Sequence, residues 1–243
     1  MLVEVEGIIL NTKDYSDTSK IITLFTYEYG VIGVLAKGSK SLKSKLRSVT
    51  DKMTYAKFTI VYKKDKLSIL NEASVINNFS NIKKDIEKIG YAGYILDLSY
   101  QVYKHSEDNE IYKLLISTLI KINENFNPLA LTNILELKYL EYLGVMPNLN
   151  GCSICGKTNI VTLSSDKGGY LCSNCVSNDP IVSDKAIKLI RMYYYVDINK
   201  ITKFDINNKV INEVDKFIDE YYERYTGLYL KSKLFIKKIN NIK

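Results

Sequence analysis

The sequence predicts an α+β protein. Residues 1–80 read as a small β-barrel, and residues 81–243 as a helical-bundle domain interrupted by a four-cysteine module at 150–178. Three observations predict this. Before residue 80, short runs rich in β-branched and aromatic residues are separated by turn residues. After it, apolar residues recur at three- and four-residue spacings. All four cysteines fall between positions 152 and 175, in two close pairs.

Val3–Leu10, Ile21–Tyr27, Val31–Ala36, Phe58–Tyr62 and Leu67–Ala73 are the five strand-like runs. Tyr29-Gly30 supplies a hairpin turn between the second and third, and Lys64-Asp65 another between the fourth and fifth. Five short strands with no helix-length pattern between them suit a Greek-key barrel such as the OB-fold. An SH3-like barrel reads almost the same way. Ile82–Tyr103 and Ile111–Ile122 carry helical spacing. Asn127 followed by Pro128 reads as an N-cap with proline at the first helical position, opening a helix through Leu143 that Gly144 and Pro147 end. Ser183 caps a further helix, Asp184–Tyr195, and Asn207 or Asn208 another, Lys209–Tyr225.

The chain has 243 residues, 46% of them hydrophobic and 25% charged, so it can bury a real core. No stretch of eighteen apolar residues occurs, so no membrane span is expected. MLVEVEGIIL carries two glutamates in its apolar run and no basic n-region, unlike a secretory signal. A reducing, cytoplasmic setting is therefore expected for the cysteines. Net charge is +7, which fits a polyanion binder only if the charge is clustered.

It is clustered. Residues 33–47 read GVLAKGSKSLKSKLR, with Lys37, Lys40, Lys43, Lys45 and Arg47 inside eleven positions and no acid among them. The stretch nearly spells a P-loop, G-x-x-x-x-G-K-[ST]. However, Ser39 and Lys40 stand in reversed order, and further strands follow instead of a helix. Five cations on a polar loop between barrel strands suit the repeating phosphates of a nucleic-acid backbone better. Lysines aim at phosphate and carry no base-reading logic. Tyr15, Tyr27, Tyr29, Tyr55 and Tyr62 are available as stacking platforms, some of them necessarily in the core. A second basic run, Lys231, Lys233, Lys237, Lys238 and Lys243, closes the chain. A solvated lysine-rich loop is the plain alternative, and an acidic protein partner or RNA would meet the same charges.

Cys152, Cys155, Cys172 and Cys175 form C-x2-C-x16-C-x2-C, the spacing of a four-thiolate structural zinc site. Each pair is a knuckle, and a hairpin turning at Lys167-Gly168-Gly169 would join them. Four thiolates leave no open position for a substrate water, so one structural ion is expected and not a catalytic one. A redox pair, a disulfide pair and a knuckle that no longer binds metal are the alternatives. No H-E-x-x-H, G-x-S-x-G or G-x-G-x-x-G occurs, and the one histidine, His105, sits at an expected helix end, where a cation interacts with the helix dipole. An enzyme is not expected.

GIILNTKDYSDTSKIITLFTYEYGVIGVLAKGSKS resembles the amino terminus of the bacterial recombination mediator family RecO, including its A-K-G segment followed by basic residues. LELKYLEYLGVMPNLNGCSICGK resembles the helix leading into that family's zinc module, and YYERYTGLYLKSKLFIKKI its closing segment. The resemblance implies an OB-fold, then a helical domain with a zinc ribbon. It implies binding of single- and double-stranded DNA and annealing of complementary strands. It also implies a partnership with RecR in loading RecA onto DNA coated by single-stranded-DNA-binding protein (SSB), through contact with the SSB C-terminal tail. A bacterial cytoplasmic protein, associated with the nucleoid when acting on DNA, follows from it. Lys37, Lys40, Lys43, Lys45 and Arg47 match the family's basic segment, and Cys152, Cys155, Cys172 and Cys175 its zinc ligands. Two departures stand out. Asp17 and Thr18 occupy the first turn. Asn133 and Ile134 stand where some members carry arginines for the SSB tail, which leaves Lys138 as the nearby cation.

Overall fold

The structure is a computed structural model that describes residues 1–203 and 205–240. Lys243 of the closing basic run lies outside the described residues. Two compact units divide the chain, Met1–Ile116 and a second beginning at Ser117.

The first unit is built on five strands: β1 (Leu2–Asp14), β2 (Lys20–Thr26), β3 (Gly30–Ala36), β4 (Tyr55–Val61) and β5 (Ser68–Asn77). They close into a barrel in the order β1-β2-β3-β5-β4. Antiparallel β1–β4 pairing and a short parallel contact of Val34 and Leu35 with Ser68 and Ile69 shut its two seams. This is the expected OB-type barrel. Closure leaves no long strand edge to aggregate. Alternate residues point inward, so Val5, Ile9, Ile22, Leu24, Val34, Phe58, Ile60 and Leu70 form one buried cluster. At the β2–β3 turn, Gly30 has φ 61° and a Cβ there would lie 1.8 Å from the Tyr103 hydroxyl, so only glycine fits.

The helical run expected from Ile82 starts with a single turn, α1 (Ser80–Lys83). Asp85 then caps α2 (Ile86–Ser106), accepting from the N–H groups of Glu87 and Lys88. The apolar spacing from Ile82 runs across this break, so the sequence pattern shows one helix where the chain forms two. Phe25, on the outer side of β2, meets the rings of Tyr103 and Tyr112 at 4.8 and 5.4 Å. Tyr112 belongs to α3 (Glu110–Asn123). Tyr55 and Tyr112 both donate to one Glu6 carboxylate oxygen, at 2.5 and 3.3 Å. His105 lies in the last turn of α2, the position expected for a cation at a helix end.

In the second unit, α4 (Pro128–Tyr142) is the central helix. Ala130 through Leu137 are all buried. Around it stand α5 (Asp184–Tyr195), α6 (Asn208–Tyr225) and α7 (Lys231–Asn240). Asn127, Ser183 and Asn207 cap three of these through their side-chain oxygens, as expected. The closing basic run, up to Asn240, forms helix α7. Between α4 and α5 the hairpin β6 (Ile160–Ser164) and β7 (Gly169–Cys172) interrupts the bundle. No helix among the described residues is long and apolar enough to cross a membrane.

Candidate nucleic-acid interface and metal centre

The basic segment joins β3 to β4. The polar loop expected there is a run of tight turns. Ser41, Ser44, Arg47 and Val49 each donate their N–H to the carbonyl three residues before. Both ends are pinned: Gly38 N–H donates to Ser19 Oγ at 3.2 Å, and Met53 N–H to the Ile9 carbonyl at 2.8 Å. Leu46 packs against the barrel core, and Ser39 is buried with its hydroxyl donating to the Ala36 carbonyl. Gly38 has φ 67° and is followed by turns, so no helix N-terminus exists to hold a nucleotide phosphate, and the P-loop likeness ends there.

The five cations divide. Lys40 Nζ pairs with Asp14 Oδ2 at 2.7 Å and donates to the Ser16 carbonyl at 3.3 Å. Its backbone N–H also donates to the Thr18 carbonyl at 2.9 Å. Lys40 thus fastens the segment to the β1–β2 turn, and its ammonium holds the Asp14 carboxyl below the ordinary carboxylate range. Lys37, Lys43, Lys45 and Arg47 are exposed, and among the described residues no carboxylate pairs with them. Leu42, 83% exposed, stands among them.

The tyrosines also sort. Tyr55 is buried and tied to Glu6, and Tyr27 carries the Lys113 ammonium 4.5 Å over its ring. Tyr15 is exposed. Tyr29 and Tyr62 lie against each other, tilted at 34°, with ring centroids 4.2 Å apart.

In the second unit, Cys152, Cys155, Cys172 and Cys175 come together with all four sulfurs within 4.8 Å of one another. Tetrahedral thiolates about 2.3 Å from one ion would stand about 3.8 Å apart, so the cluster has the size of a metal site. None of the cysteines is in a disulfide, and the Cys155 and Cys172 sulfurs are 3.5 Å apart. The knuckles follow from local backbone bonds. Gly156 N–H donates to the Cys152 carbonyl at 2.8 Å with Gly156 at φ 74°, and Cys175 N–H donates to the Cys172 carbonyl at 3.0 Å. Gly169 bridges to Asn148, whose carbonyl would lie 2.3 Å from any Cβ placed there.

Burial works against the Cys152 thiolate. The backbone groups of Cys172, Cys155 and Ile154 outweigh it and bring that thiol down to about 6. Cys175 is pushed up to about 12 by its hydrogen bond with Cys155, then by burial and the other sulfurs. Four sulfurs this close can all be thiolates only around a cation, and the set could hold a metal ion. The module is braced on the bundle. Tyr170 donates to the Ile187 carbonyl at 2.7 Å, Ser165 to Glu220 at 3.0 Å, and Arg224 pairs with Asp166.

Sequence reasoning missed a buried ionic cluster nearby. Glu136 of α4 is fully buried, and Lys233 of α7 places its ammonium 2.6 Å from both Glu136 and Asp219 of α6. Lys237 adds a second cation 3.0 Å from Asp219. Asn133, with its amide nitrogen turned inward, donates to Asp215 at 2.9 Å. The signals were there: polar Asn133 and Glu136 inside an apolar helix, and Asp215/Asp219 and Lys233/Lys237 each four apart. Asn133 and Ile134 are core residues. Lys138 Nζ donates to the Tyr194 carbonyl at 3.0 Å, and burial lowers its pKa.

A closed OB-type barrel bearing an exposed basic segment, followed by a helical unit with a four-thiol centre, defines a class of barrel proteins with an appended cysteine module. Comparison with known proteins names the family. The family described as "Recombination protein O N terminal" matches residues 1–79, and "Recombination protein O C terminal" matches residues 83–234. The chain is 33% identical over 248 residues to a Bacillus pumilus protein named DNA repair protein RecO, spanning 100% of this chain and 96% of that one. A Listeria monocytogenes serotype 4b protein of the same name is 34% identical over 240 residues, 97% and 94% of the two chains. Its Bacillus subtilis (strain 168) namesake is 32% identical over 248 residues, 100% and 97%. The chain belongs to the RecO family of DNA repair proteins, which implies a part in recombinational repair.

Proposed function

We propose that the protein is a non-enzymatic recombination mediator. It binds single- and double-stranded DNA through the barrel and anneals complementary strands. With RecR it helps load RecA onto SSB-coated single strands, contacting the SSB tail. It works in the bacterial cytoplasm, at the nucleoid when acting on DNA. The observation that carries the reading is the exposed set Lys37, Lys43, Lys45 and Arg47, held on packed turns, with no carboxylate paired to it among the described residues. The four-cysteine centre is read as one structural zinc ion. It would supply folding energy to the helical unit and no chemistry, because thiolates fill every position.

Binding should be strongly salt-dependent. The four phosphate contacts of this segment contribute roughly −2.8 to the slope of log K against log salt on a single strand. Lys40 contributes less, since Asp14 already neutralises it. Changing Lys37, Lys43, Lys45 and Arg47 together to Gln should remove that share of the slope, with a matching loss of annealing of SSB-coated strands. An unchanged slope would put the DNA site elsewhere. Annealing that needs ATP would contradict a binding-only role.

A further inference from the structure

A groove of about 460 Å³ opens where the β2–β3 turn meets the β4–β5 hairpin. Tyr29 and Tyr62 line it, and their rings lean on the barrel core at 4.2 Å and 34° to each other. Lys63 and Lys66 line it too, Lys64 adjoins them, and Asp65 at the turn is the one acid among the lining residues. Gly33 helps to make the space, since a Cβ there would meet Leu67 Cδ2 at 2.8 Å.

Two other barrel tyrosines are engaged: Tyr55 is buried against Glu6, and Tyr27 lies under Lys113. The Tyr29–Tyr62 pair combines ring contact, a groove and flanking cations.

Resting on the DNA-binding reading above, we propose that this groove is a stacking site for an unpaired base of single-stranded DNA. The base stacks on an open face of the tilted Tyr29–Tyr62 pair, and Lys63 and Lys66 hold the phosphates on either side. Stacking is tolerant of sequence because every base has a π-face. A paired base presents no free face, so the site selects single strands, which the basic segment alone does not do.

A second groove lies towards that segment. Leu67 lines the first, and Ile69, two residues on and about 7 Å along a strand, lines the second, of about 600 Å³, together with Lys37, Leu46 and one acid, Glu72. A strand lying along the start of β5 would meet the tyrosine pair at one end and the basic segment at the other.

The chain has no tryptophan, so Tyr62→Trp in the full-length protein is a single reporter that keeps a stacking ring. Oligo-dT should quench its emission, while an abasic oligomer of equal length and charge should bind without quenching it. In wild-type background, Tyr29→Leu with Tyr62→Leu should weaken oligo-dT binding about 5- to 150-fold, the worth of one stacked base. Duplex affinity and the salt slope should stay unchanged. Equal emission with the two oligomers would overturn the site, as would oligo-dT binding at wild-type strength by a folded double variant. Those results, with salt-dependent binding intact, would leave the parent reading standing. Absence of salt-dependent single-strand binding in the wild type would remove both.

Discussion

Replacing Lys233 with Met should cost the helical unit more than any surface charge change. Lys233 Nζ lies 2.6 Å from Glu136 and 2.6 Å from Asp219, and the Glu136 side chain is fully buried. Glu136 and Asp219 both repel Asp215. The Met side chain keeps most of the apolar stem and removes the charge, so the variant asks three clustered carboxylates to stay inside with only Lys237 nearby. Breaking a buried pair in this way costs about 3–5 kcal/mol, because the remaining charge keeps its desolvation penalty and loses its partner. For a chain of this size that is a fall in Tm of roughly 6–20 °C.

The loss should depend on pH in a defined direction. Without Lys233, whose charge holds it down, the Asp215 carboxyl, already pushed up to about 7 by burial, rises further above its unfolded value. A carboxyl raised in the folded state favours folding at low pH and loses that contribution as pH rises. The variant should therefore recover part of its stability on going from pH 8 to pH 5. Pairing Lys233→Met with Glu136→Gln should restore most of it at pH 7, since the orphaned charge is gone. Urea unfolding followed by far-UV circular dichroism measures all three. A single-variant cost under about 1 kcal/mol would refute the reasoning, as would a double variant no more stable than the single.

Two further outcomes follow from the same physics. Burial first, then Glu136 and Asp219, push the Asp215 carboxyl up to about 7, so its contribution to folding is present near pH 4 and is lost as pH rises through 7. Wild-type stability should therefore fall relative to Asp215→Asn between pH 5 and pH 8 in paired urea titrations; a constant difference would show that Asp215 titrates normally. Metal analysis of protein purified under reducing conditions should find about one zinc per chain, and Cys172→Ser or chelation should unfold the helical unit before the barrel. Protein free of zinc, or a barrel that melts first, would contradict a structural ion in the cysteine module.

The parts legible in the sequence are those whose determinants are neighbours in the chain. Each cysteine knuckle is a four-residue event fixed by its own turn, so C-x2-C announces it. The basic segment is eleven residues long, and the caps Asn127, Ser183 and Asn207 bond within three residues. What was not legible is non-local. Glu136, Asp219 and Lys233 come from three helices, and nothing within any one of them shows that the charges meet. The helix α7 went unread because its lysines look like a solvated tail, whereas Lys233 is turned inward by its partners. The five tyrosines could not be sorted for the same reason: Tyr29 and Tyr62 are 33 positions apart and meet only once the barrel closes.

The packed state of the basic segment changes how its charge acts. An open lysine loop would give up conformational entropy on every phosphate contact, at about 1–2 kcal/mol of backbone freedom per residue fixed. Here successive turns, the buried Ser39 and Val49, and the Lys40–Asp14 pair have already fixed the backbone. Only the side chains of Lys37, Lys43, Lys45 and Arg47 remain to be ordered. Lys40 is thus better understood as the fastening that presents the other four than as one more phosphate contact. That assignment separates two variants which sequence alone makes equivalent. Lys40→Gln should loosen the segment and lower binding with little change in salt slope, whereas Lys43→Gln should reduce the slope by about 0.7, the share of one phosphate on a single strand. Equal effects on the slope would mean that Lys40 leaves Asp14 to bind DNA.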